Sequence, residues 1–557
     1  MFSRKLPRFL SILKTYEHYR SFRTTKFSWQ KVLPEGLTLK DFIIGSTHQD
    51  AAVPRVEPVE ETVPYLDQSN LKGWNRKVFF EVYGCQMNVN DTEIVWAILQ
   101  SAGFQKTHKI EEADIVLMMT CSIRENAETK IWNRIQHLRG LKRTRLLHKN
   151  KPQLKIGILG CMAERLKEKL IEKERIIDLV AGPDSYKDLP RLLALTDNNE
   201  VAVNVLLSQD ETYADITPVR LSSDNVSAYV SIMRGCDNMC SYCIVPFTRG
   251  KERSRPISSI LNEVEYLSKQ GFKEVTLLGQ NVNSYRDLSV EEDTSQVTKM
   301  AKGFKTVYKT KKGGVRFDRL LDEVAKVDPQ MRIRFTSPHP KDFPDEVLEV
   351  ISKHKNVCKS LHLPAQSGNN EVLERMRRGY TRESYIELVN HVRSIIPGVT
   401  LSSDFICGFC GETESQFDDT LTLIEEVGYN VAYLFAYSMR EKTTAHRRYK
   451  DDVDPSVKQE RLLKMIKAFR KSADHLNKEF IGKQETVLIE GKSKRSDNYL
   501  AGRTDSNIKV IIPSCEIPDC EKSQSFTDIK PGDYVQVQIK EANSQVLKGI
   551  PLFHTSL

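Results

Sequence analysis

Three cysteines in one short stretch carry the strongest chemical signal in the sequence. Cys236, Cys240 and Cys243 stand at positions i, i+4 and i+7 of RGCDNMCSYC, directly after a predicted strand. Thiolates at this spacing on a tight loop can hold three corners of a cubane iron–sulfur cluster and leave the fourth iron open. Zinc is the alternative, but a structural zinc site needs four protein ligands and no nearby histidine supplies the fourth. The spacing therefore predicts an iron–sulfur cluster with one open iron.

Three more cysteines each follow a predicted strand directly. Cys85, Cys121 and Cys161 come after short apolar runs, with 35 and 39 residues between them. The carboxyl ends of parallel strands gather at one edge of a sheet, so these three thiols are predicted to converge in space. The chain has eleven cysteines in 557 residues, which does not indicate a disulfide scaffold.

The elements that carry the N-terminal cysteines alternate between strand and helix. Short apolar runs predict buried parallel strands, and apolar residues at helical spacing follow them. Residues 76–196 are therefore predicted to form an open α/β sheet domain. The predicted strands are 77–83, 114–119 and 154–159, and the predicted helices include 91–102 and 122–138.

A second block, residues 222–476, repeats this alternation six times. It predicts a partial (β/α)6 barrel with its chemistry at the carboxyl ends of the strands. Residues 286–316 are polar and rich in lysine, and they are interpreted as an inserted loop. The predicted strands are 228–233, 274–278, 331–336, 358–363, 399–405 and 430–437, and the predicted helices are 257–270, 317–327, 343–354, 382–396 and 414–427.

The last part of the chain changes its period from 3.6 to 2. After a long predicted helix at 455–480, residues 485–489, 507–512 and 534–539 have the pattern of short strands. Residues 478–553 are therefore predicted to form a small β-barrel. Barrels of this size commonly bind nucleic acid, which is an analogy at the level of the fold alone.

The first residues of the chain differ in composition from the rest. Residues 1–40 carry nine Lys and Arg against two acids, a balance of +7 within a total net charge of +9. This composition favours a mitochondrial transit peptide, and a basic arm that binds RNA is the alternative. Residues 50–75 are rich in Pro and Glu, so residues 1–75 are interpreted as targeting segment and linker. The sequence contains no apolar run long enough to predict a membrane span.

Eight motifs follow one another along the chain: YGCQMN, TCSIRENAE, GCMAER, RGCDNMCSYCIVPFTRGKERSRP, LLGQNVNSY, HLPAQSG, RRGY and GFCGETE. They resemble those of the radical S-adenosylmethionine methylthiotransferases of the MiaB type. The resemblance covers residues 76–553 in order, and the C-terminal barrel is similar to the TRAM domain of these enzymes. At Cys410 the chain departs from the family, which usually has Pro before Gly-Glu-Thr.

The resemblance implies two [4Fe–4S] clusters and S-adenosylmethionine as cofactors. One cluster would be held by Cys236, Cys240 and Cys243, whose open iron chelates S-adenosylmethionine. An auxiliary cluster would be held by Cys85, Cys121 and Cys161. One S-adenosylmethionine would methylate a sulfur atom on the auxiliary cluster, and a second would be cleaved to a radical that removes hydrogen from C2 of a purine. This step needs no protein acid or base, so no catalytic residue is assigned.

Two polar residues after the second barrel strand are candidate contacts for S-adenosylmethionine. Gln280 and Asn281 have the strand-end position that faces the expected cofactor site, although such residues often only cap the next helix. His362 and Gln366 are weaker candidates at another strand end. Asp404 and Arg334 share a strand position that faces the mouth and are left unassigned.

The substrate implied by the resemblance is tRNA with N6-isopentenyladenosine at position 37, which would receive a 2-methylthio group. Position 37 lies in the anticodon loop, where an unpaired base can be splayed out. The targeting arm and the insertion agree with an animal mitochondrial branch, so the expected location is the mitochondrial matrix. An electron donor is required, and a kinase regulatory subunit is a further candidate partner because that branch is named for one. No membrane contact is expected.

Other branches and classes remain as alternatives. A branch that acts on threonylcarbamoyl-adenosine would be expected to end in a membrane anchor, and a third branch modifies a ribosomal protein. A regulator or RNA-binding module that kept the fold without activity is the competing class, and losing any of the six cysteines would favour it. The basic stretches 139–155 and 299–312, the latter with Phe304 and Tyr308, and Lys492, Lys494, Arg495 and Arg503 are candidate RNA contacts. Cys407 and Cys410 are interpreted as structural, and Cys358, Cys515 and Cys520 receive no ligand role.

Overall fold

The computed structural model describes residue 66 and residues 68–122, 125–147, 152–198, 200–221, 226–290, 300–305 and 312–557. The basic arm and most of the linker predicted for residues 1–75 lie outside these ranges, and residues 66 and 68–75 of the linker lie within them. The described residues all belong to one unit, Pro64–Leu557. No helix within them is long and apolar enough to cross a membrane.

The N-terminal sheet has six parallel strands in the order β2-β1-β3-β4-β5-β6, which confirms the predicted open α/β sheet. Its strands are β1 (Lys77–Val82), β2 (Gln105–Lys106), β3 (Ile115–Thr120), β4 (Lys155–Gly160), β5 (Leu179–Ala181) and β6 (Ala202–Asn204). Its helices are α1 (Gln86–Ser101), α2 (Glu125–Leu147), α3 (Cys161–Leu166), α4 (Lys169–Lys173) and α5 (Leu189–Asp197).

Strand β3 shows why the sequence predicts the central strands of this sheet. All six of its residues are buried, and successive side chains enter the apolar clusters on opposite faces of the sheet. Helices cover both faces, so the strand is a continuous apolar run rather than an alternating one. Helix α1 begins at Gln86, five residues before the predicted start. Its first turn was missed because Asn88, Asn90 and Asp91 are buried polar residues that interrupt the apolar period of the helix.

The second block has six parallel strands in two three-stranded sheets, β13-β10-β7 and β14-β15-β16, and a bridge between Ile333 and Val357 connects them. This confirms the predicted partial barrel. The strands are β7 (Ser227–Ser231), β10 (Glu274–Leu278), β13 (Arg332–Phe335), β14 (Ser360–His362), β15 (Thr400–Cys407) and β16 (Val431–Ala436), and β8 (Met233–Arg234) pairs with β9 (Arg253–Ser254) beside them. The helices are α6 (Val245–Thr248), α7 (Ile257–Lys269), α8 (Phe317–Val327), α9 (Asp345–Lys353), α10 (Asn370–Arg375), α11 (Arg382–Ile395), α12 (Glu414–Val427), α13 (Thr444–Arg448) and α14 (Pro455–Lys478).

Strand β15 divides its side chains between two faces. Leu401 and Phe405 enter the main apolar cluster with the surrounding helices, while Ser402 and Asp404 alternate with them on the other face. The inner face of the half-barrel therefore carries polar side chains on this strand. This is the face that a bound molecule would meet.

The predicted insertion is closed at its base by a short hairpin. Strands β11 (Arg286–Asp287) and β12 (Val315–Arg316) pair in antiparallel fashion. Within the insertion, residues 300–305 pack back on the barrel, because Phe304 is buried against Tyr380 with ring centroids 5.0 Å apart. Residues 291–299 and 306–311 lie outside the described part of the chain.

The C-terminal strands close into a five-stranded barrel, which confirms the predicted small β-barrel. The order is β17-β18-β19-β23-β22, and a separate hairpin of β20 and β21 lies beside it. The strands are β17 (Gln484–Ser493), β18 (Ser496–Thr504), β19 (Lys509–Pro513), β20 (Glu516–Pro518), β21 (Phe526–Asp528), β22 (Tyr534–Ala542) and β23 (Val546–Thr555). Strands β18 and β23 were not predicted from the sequence.

The C-terminal barrel docks against the half-barrel at the amino ends of its strands. The turn after β18 carries Asp505, whose carboxylate accepts a hydrogen bond from the Lys359 backbone N–H at 2.9 Å, just before β14. Tyr534 donates to the Lys273 carbonyl, just before β10, at 2.9 Å. The carboxyl ends of the strands, where the cysteines lie, remain at the opposite opening.

Candidate active site with two cysteine sites and a buried arginine between them

The three N-terminal cysteines lie where the sequence predicted them, at the carboxyl ends of three strands that are neighbours in the sheet. Cys85 precedes helix α1, Cys121 follows β3, and Cys161 is the first residue of α3. Gly84 has φ +110°, and a Cβ at this position would overlap Cys121. A glycine is therefore required for the end of β1 to approach the neighbouring thiol so closely.

These thiols differ in their electrostatic surroundings. A hydrogen bond from the Cys121 thiol is the main influence that lowers the pKa of Cys85 to about 6. Burial raises the pKa of Cys161, which the Arg249 guanidinium partly opposes. Iron binds thiolates, so loading a cluster at this site would be coupled to proton release.

The second set of cysteines lies on a loop that its neighbours hold firmly. Ser241 Oγ donates to the Arg375 carbonyl at 2.7 Å, and the Ser241 backbone N–H donates to the Met376 carbonyl at 2.9 Å. Burial raises the pKa of Cys243 to about 12. Arg378 Nη1 donates to Cys240 Sγ at 3.3 Å, so this sulfur also has a buried cation beside it.

A buried guanidinium that follows the second cysteine loop contacts the N-terminal cysteine site. Arg249 lies at the end of α6, six residues after Cys243, and it is 3% exposed. Its Nε donates to Cys161 Sγ at 3.2 Å, and its Nη2 donates to Asp91 Oδ2 at 2.7 Å. Asp91 Oδ1 also lies 2.9 Å from Nη1 of Arg234, which stands two residues before Cys236. Residues on both sides of the cysteine loop thus reach one carboxylate on the helix that follows Cys85.

The donor set fits an anionic cluster at each site. Arg249 Nη1 is buried and has no hydrogen-bond partner among the described residues, so it is a cationic donor available to an anion next to three thiols. Within the described ranges no three His, Cys, Asp or Glu groups surround a single metal position. A cubane cluster binds its thiolates at separate iron corners, so its ligands do not need to meet at one point.

Gln280 and Asn281 are used by the protein itself. Gln280 Oε1 accepts a hydrogen bond from the Gly235 backbone N–H at 2.5 Å, directly before Cys236. Asn281 is buried and donates to Asp342 Oδ2 at 3.1 Å, while its Oδ1 has no hydrogen-bond partner in the described part of the chain. Gln280 therefore supports the cysteine loop, and Asn281 keeps one acceptor available.

The weaker sequence candidates fall in two places. His362 lies on the inner face, where its Nε2 is 3.4 Å from Asp404 Oδ2 and its ring meets that of Tyr433 edge-on with centroids 6.0 Å apart. Tyr433 is 45% exposed, and no sequence motif singled it out. Arg334 is not at the mouth, because it donates to the Thr504 carbonyl of the C-terminal barrel at 2.8 Å.

The remaining cysteines have structural surroundings or surface positions. Cys407 and Cys410 are buried, and Cys407 Sγ donates to the Phe435 carbonyl at 3.5 Å. Burial raises the pKa of Cys407 to about 12, which makes this thiol unreactive. Cys358 is buried as well, whereas Cys515 and Cys520 are exposed.

The structure corrects part of the predicted RNA surface. Phe304 is 6% exposed and therefore cannot stack on a base, so this part of the prediction is wrong; Tyr308 lies outside the described residues. In the stretch 139–155, Arg139 pairs with Glu174, and Lys142 pairs with Asp178 at 2.6 Å. In the C-terminal barrel Arg503 pairs with Glu490 at 2.8 Å, while Lys494 and Arg495 are exposed on the turn between β17 and β18.

Sequence reasoning missed the arginines that contact the cysteine sulfurs. Arg249 lies in TRGKERSRP and Arg378 in RRGY, two motifs that the sequence singled out without giving these side chains a role. The available signal was an arginine within each motif. Only the fold shows that Arg378, 138 residues away from Cys240 in the chain, donates to its sulfur.

Comparison with known proteins defines the class. The chain matches Uncharacterized protein family UPF0004 over residues 77–182, the Radical SAM superfamily over residues 230–424 and the TRAM domain over residues 478–552. The chain is a radical S-adenosylmethionine enzyme with an additional N-terminal module and a C-terminal TRAM domain.

Curated relatives narrow the class further. Mitochondrial tRNA methylthiotransferase CDK5RAP1 of Mus musculus is 56% identical over 530 residues, which cover 94% of this chain and 89% of that protein. The Homo sapiens protein of the same name is 57% identical over 514 residues, 90% of this chain and 85% of its own. A tRNA-2-methylthio-N(6)-dimethylallyladenosine synthase of Chloroherpeton thalassium is 46% identical and covers 86% of this chain and 97% of its own length. The chain belongs to the tRNA methylthiotransferase family.

Proposed function

We propose that this protein converts N6-isopentenyladenosine at position 37 of tRNA to its 2-methylthio derivative, acting on mitochondrial tRNAs. The observation that carries the proposal is the pair of three-cysteine sites, one at the carboxyl ends of the N-terminal sheet and one beside the half-barrel, with Arg249 of the second block donating to Cys161 of the first site. Relatives with the printed names tRNA methylthiotransferase and tRNA-2-methylthio-N(6)-dimethylallyladenosine synthase support the same reaction.

We assign Cys236, Cys240 and Cys243 to one [4Fe–4S] cluster, and we assign the auxiliary cluster to the three cysteines of the N-terminal sheet, Cys85, Cys121 and Cys161. When bound, the clusters and S-adenosylmethionine supply the radical and the methylthio group. The protein positions these groups: Gln280 holds the backbone before Cys236, and Arg378 donates to Cys240 Sγ. The unpartnered Oδ1 of Asn281 is the acceptor we assign to S-adenosylmethionine.

The adenosine is proposed to bind on the polar inner face of the half-barrel. Tyr433 exposes nearly half of its surface there, and an aromatic ring is the usual stacking partner of an unpaired base. His362 and Asp404 lie beside it and provide hydrogen-bonding groups. The open end of the barrel admits the anticodon loop, since the TRAM domain occupies the opposite end.

The domain limits follow the same proposal. Residues 76–196 would form the auxiliary-cluster domain, 222–476 the radical domain and 478–553 the RNA-binding TRAM domain, and the matched family ranges fall within these limits. We propose the mitochondrial matrix as the location, with residues 1–75 as targeting segment and linker, and an external electron donor for the clusters. A kinase regulatory subunit gains no support from the described residues, and the proposal does not include it.

The decisive experiment is anaerobic. The chain is reconstituted with iron and sulfide and then incubated with dithionite, S-adenosylmethionine and tRNA that carries isopentenyladenosine. The digested nucleosides are examined by mass spectrometry, and a Cys240→Ala variant serves as the control. The proposal expects the 2-methylthio nucleoside with the wild-type chain and not with the variant.

Two other results would reject the proposal in different ways. If both clusters load and 5′-deoxyadenosine forms without a modified nucleoside, the radical chemistry is correct and the substrate is wrong, and tRNA with threonylcarbamoyl-adenosine is tested next. If the clusters load and no 5′-deoxyadenosine forms, the chain acts as a binding module.

A further inference from the structure

The Arg249 guanidinium donates hydrogen bonds to both a carboxylate and a cysteine sulfur. Nη2 donates to Asp91 Oδ2 at 2.7 Å, and Nε donates to Cys161 Sγ at 3.2 Å. Arg253, four residues later, differs because both of its terminal nitrogens donate to one carboxylate, that of Asp184, at 2.9 and 3.1 Å. Arg249 is thus oriented toward the sulfur as well as toward its ionic partner.

The position of Arg249 is fixed from several sides. Asp91 is fully buried and is also held by Arg234, while Asn88 Oδ1 accepts from Arg249 Nη2 at 3.3 Å. Asp91 and Asn88 lie on α1, the helix that begins directly after Cys85. A buried side chain with this many directional contacts has little freedom to rotate, so its Nε–H remains aimed at Cys161.

A hydrogen bond to a ligating sulfur and a nearby positive charge both stabilise the more negative state of an iron–sulfur cluster. The reduced cluster has one additional electron and one additional negative charge, and no proton is needed for the change. Hydrogen bonds to the sulfurs and the local charge are among the factors that set cluster reduction potentials. A fully buried guanidinium acts strongly because the low dielectric of the interior weakens its field little.

We propose that Arg249 is a positioning residue that orients the Cys161 thiolate and raises the reduction potential of the auxiliary cluster. Arg249 follows Cys243 by six residues, so the guanidinium that contacts Cys161 of the N-terminal domain belongs to the radical domain. The inference rests on the proposed function insofar as that function places a cluster at Cys85, Cys121 and Cys161. It adds a residue outside the cysteines that controls the electronic state of that cluster.

The test isolates the auxiliary cluster in a Cys240→Ala background, in which the other site lacks one ligand. Arg249→Met removes the charge and the hydrogen bond at similar length. Arg461→Met is the matched control, because Arg461 is a buried arginine paired with Glu412 that donates no hydrogen bond to a described cysteine. Iron and sulfide content, the electron paramagnetic resonance spectrum of the reduced cluster and a dithionite titration with redox mediators are measured for each protein.

The expected result is full cluster content with a lower midpoint potential in Arg249→Met and an unchanged potential in Arg461→Met. The equilibrium constant for one-electron reduction should fall at least tenfold, which is a shift of about 59 mV. Arg249→Lys keeps a cation beside Asp91, so it should recover part of the potential and show an altered spectrum. The Lys variant also carries the test if the Met variant does not fold.

Each other outcome overturns a distinct statement. Equal potentials and spectra in the parent protein and in both Arg249 variants would show that the arginine is purely structural. If the Cys240→Ala parent binds no cluster, the assignment of the three N-terminal cysteines fails, and with it the proposed function. The two failures are therefore distinguishable from the iron content of the parent protein.

Discussion

Arg334 Nη1 donates to the backbone carbonyl of Asp505 at 2.9 Å, and this bond joins strand β13 of the half-barrel to the turn after β18 of the TRAM domain. The same side chain pairs with Glu274 Oε2 at 2.8 Å. Arg332, two residues earlier on the same face of β13, donates to the Arg503 carbonyl at 2.7 Å. Two arginines of one strand thus hold the TRAM domain against the amino ends of the barrel strands.

Replacing Arg334 with Met should loosen this contact and destabilise the chain. The variant leaves the buried Glu274 carboxylate without its partner, and removing one member of a buried pair lowers the free energy of unfolding by about 3–5 kcal/mol. Urea denaturation measures the loss, and hydrogen exchange should rise in residues 500–510. Arg319→Met removes an exposed pair with Glu323 and should change stability by less than about 1 kcal/mol. Equal effects in the two variants would mean that the Arg334 contact is not a stabilising one.

The assignment of the cysteines predicts how much iron each variant binds. Cys121→Ala should reduce the iron content from about eight to about four atoms per chain, because one of two [4Fe–4S] clusters loses a ligand. Cys358→Ala is the matched control, since Cys358 is also buried, two residues before β14, but is assigned no ligand role. Anaerobic reconstitution followed by iron and sulfide analysis is the measurement. Full iron content in Cys121→Ala would remove this cysteine from the site.

Gln280 should act on the stability of one cluster alone. Its Oε1 accepts from the Gly235 N–H, so Gln280→Leu leaves the backbone before Cys236 without this bond. We expect faster loss of the cluster at Cys236, Cys240 and Cys243 in a chelator, by roughly fivefold to tenfold for about 1–1.5 kcal/mol. The auxiliary cluster should be lost at the wild-type rate, as resolved by electron paramagnetic resonance. If both clusters were lost faster to the same degree, the effect would be a general destabilisation.

The sequence predicts those parts of the site that depend on neighbouring residues in the chain, and not the contacts between residues that are distant in it. Cys85, Cys121 and Cys161 could be placed together because each ends a strand, and parallel strands align their carboxyl ends. The arginines could not be assigned a role because their partners are distant in the chain: Arg249 and Cys161 are 88 residues apart. Gln280 was placed beside the cofactor, yet its hydrogen bond to Gly235 depends on the exact path of the cysteine loop.

The strands divide in the same way: some are predicted from their own residues, and others are fixed only by pairing with distant strands. Strands β3 and β4 of the N-terminal sheet were found because burial on both faces leaves a continuous apolar signal. Strand β18 was missed because its first four residues are polar or exposed, and β23 because Gly549 and Pro551 interrupt it. Both strands are fixed by pairing around a closed barrel, which is a property of the whole domain.

Phe304 is buried in the core, which rules out the RNA contact suggested by the sequence. By sequence it belongs to a candidate RNA-contacting stretch, but it packs in the core against Tyr380. Phe304→Ala should therefore lower the free energy of unfolding by about 3–5 kcal/mol while leaving the affinity for tRNA unchanged at a temperature where the variant is folded. Denaturation and filter binding measure the two quantities. A weaker affinity with unchanged stability would restore the RNA contact.

The carboxyl group of Glu412 should make stability depend on pH. It is buried, it accepts from the Gly408 N–H at 2.5 Å, and it pairs with Arg461 at 3.1 Å. Burial raises the pKa of Glu412 from 4.5 to about 7. The folded chain therefore holds a proton that the unfolded chain releases, and the free energy of unfolding must fall as pH rises between these two values.

Glu412→Gln removes this dependence, because the amide oxygen still accepts from Gly408 and does not titrate. The stability of the variant relative to wild type should increase from pH 5 to pH 8, by at most about 3 kcal/mol at 1.36 kcal/mol per pKa unit. Urea denaturation at four pH values measures the difference. Glu414→Gln is the control: neighbouring cations lower the pKa of this exposed group, so its difference from wild type should stay constant over the same range. Parallel curves for wild type and Glu412→Gln would contradict the raised pKa.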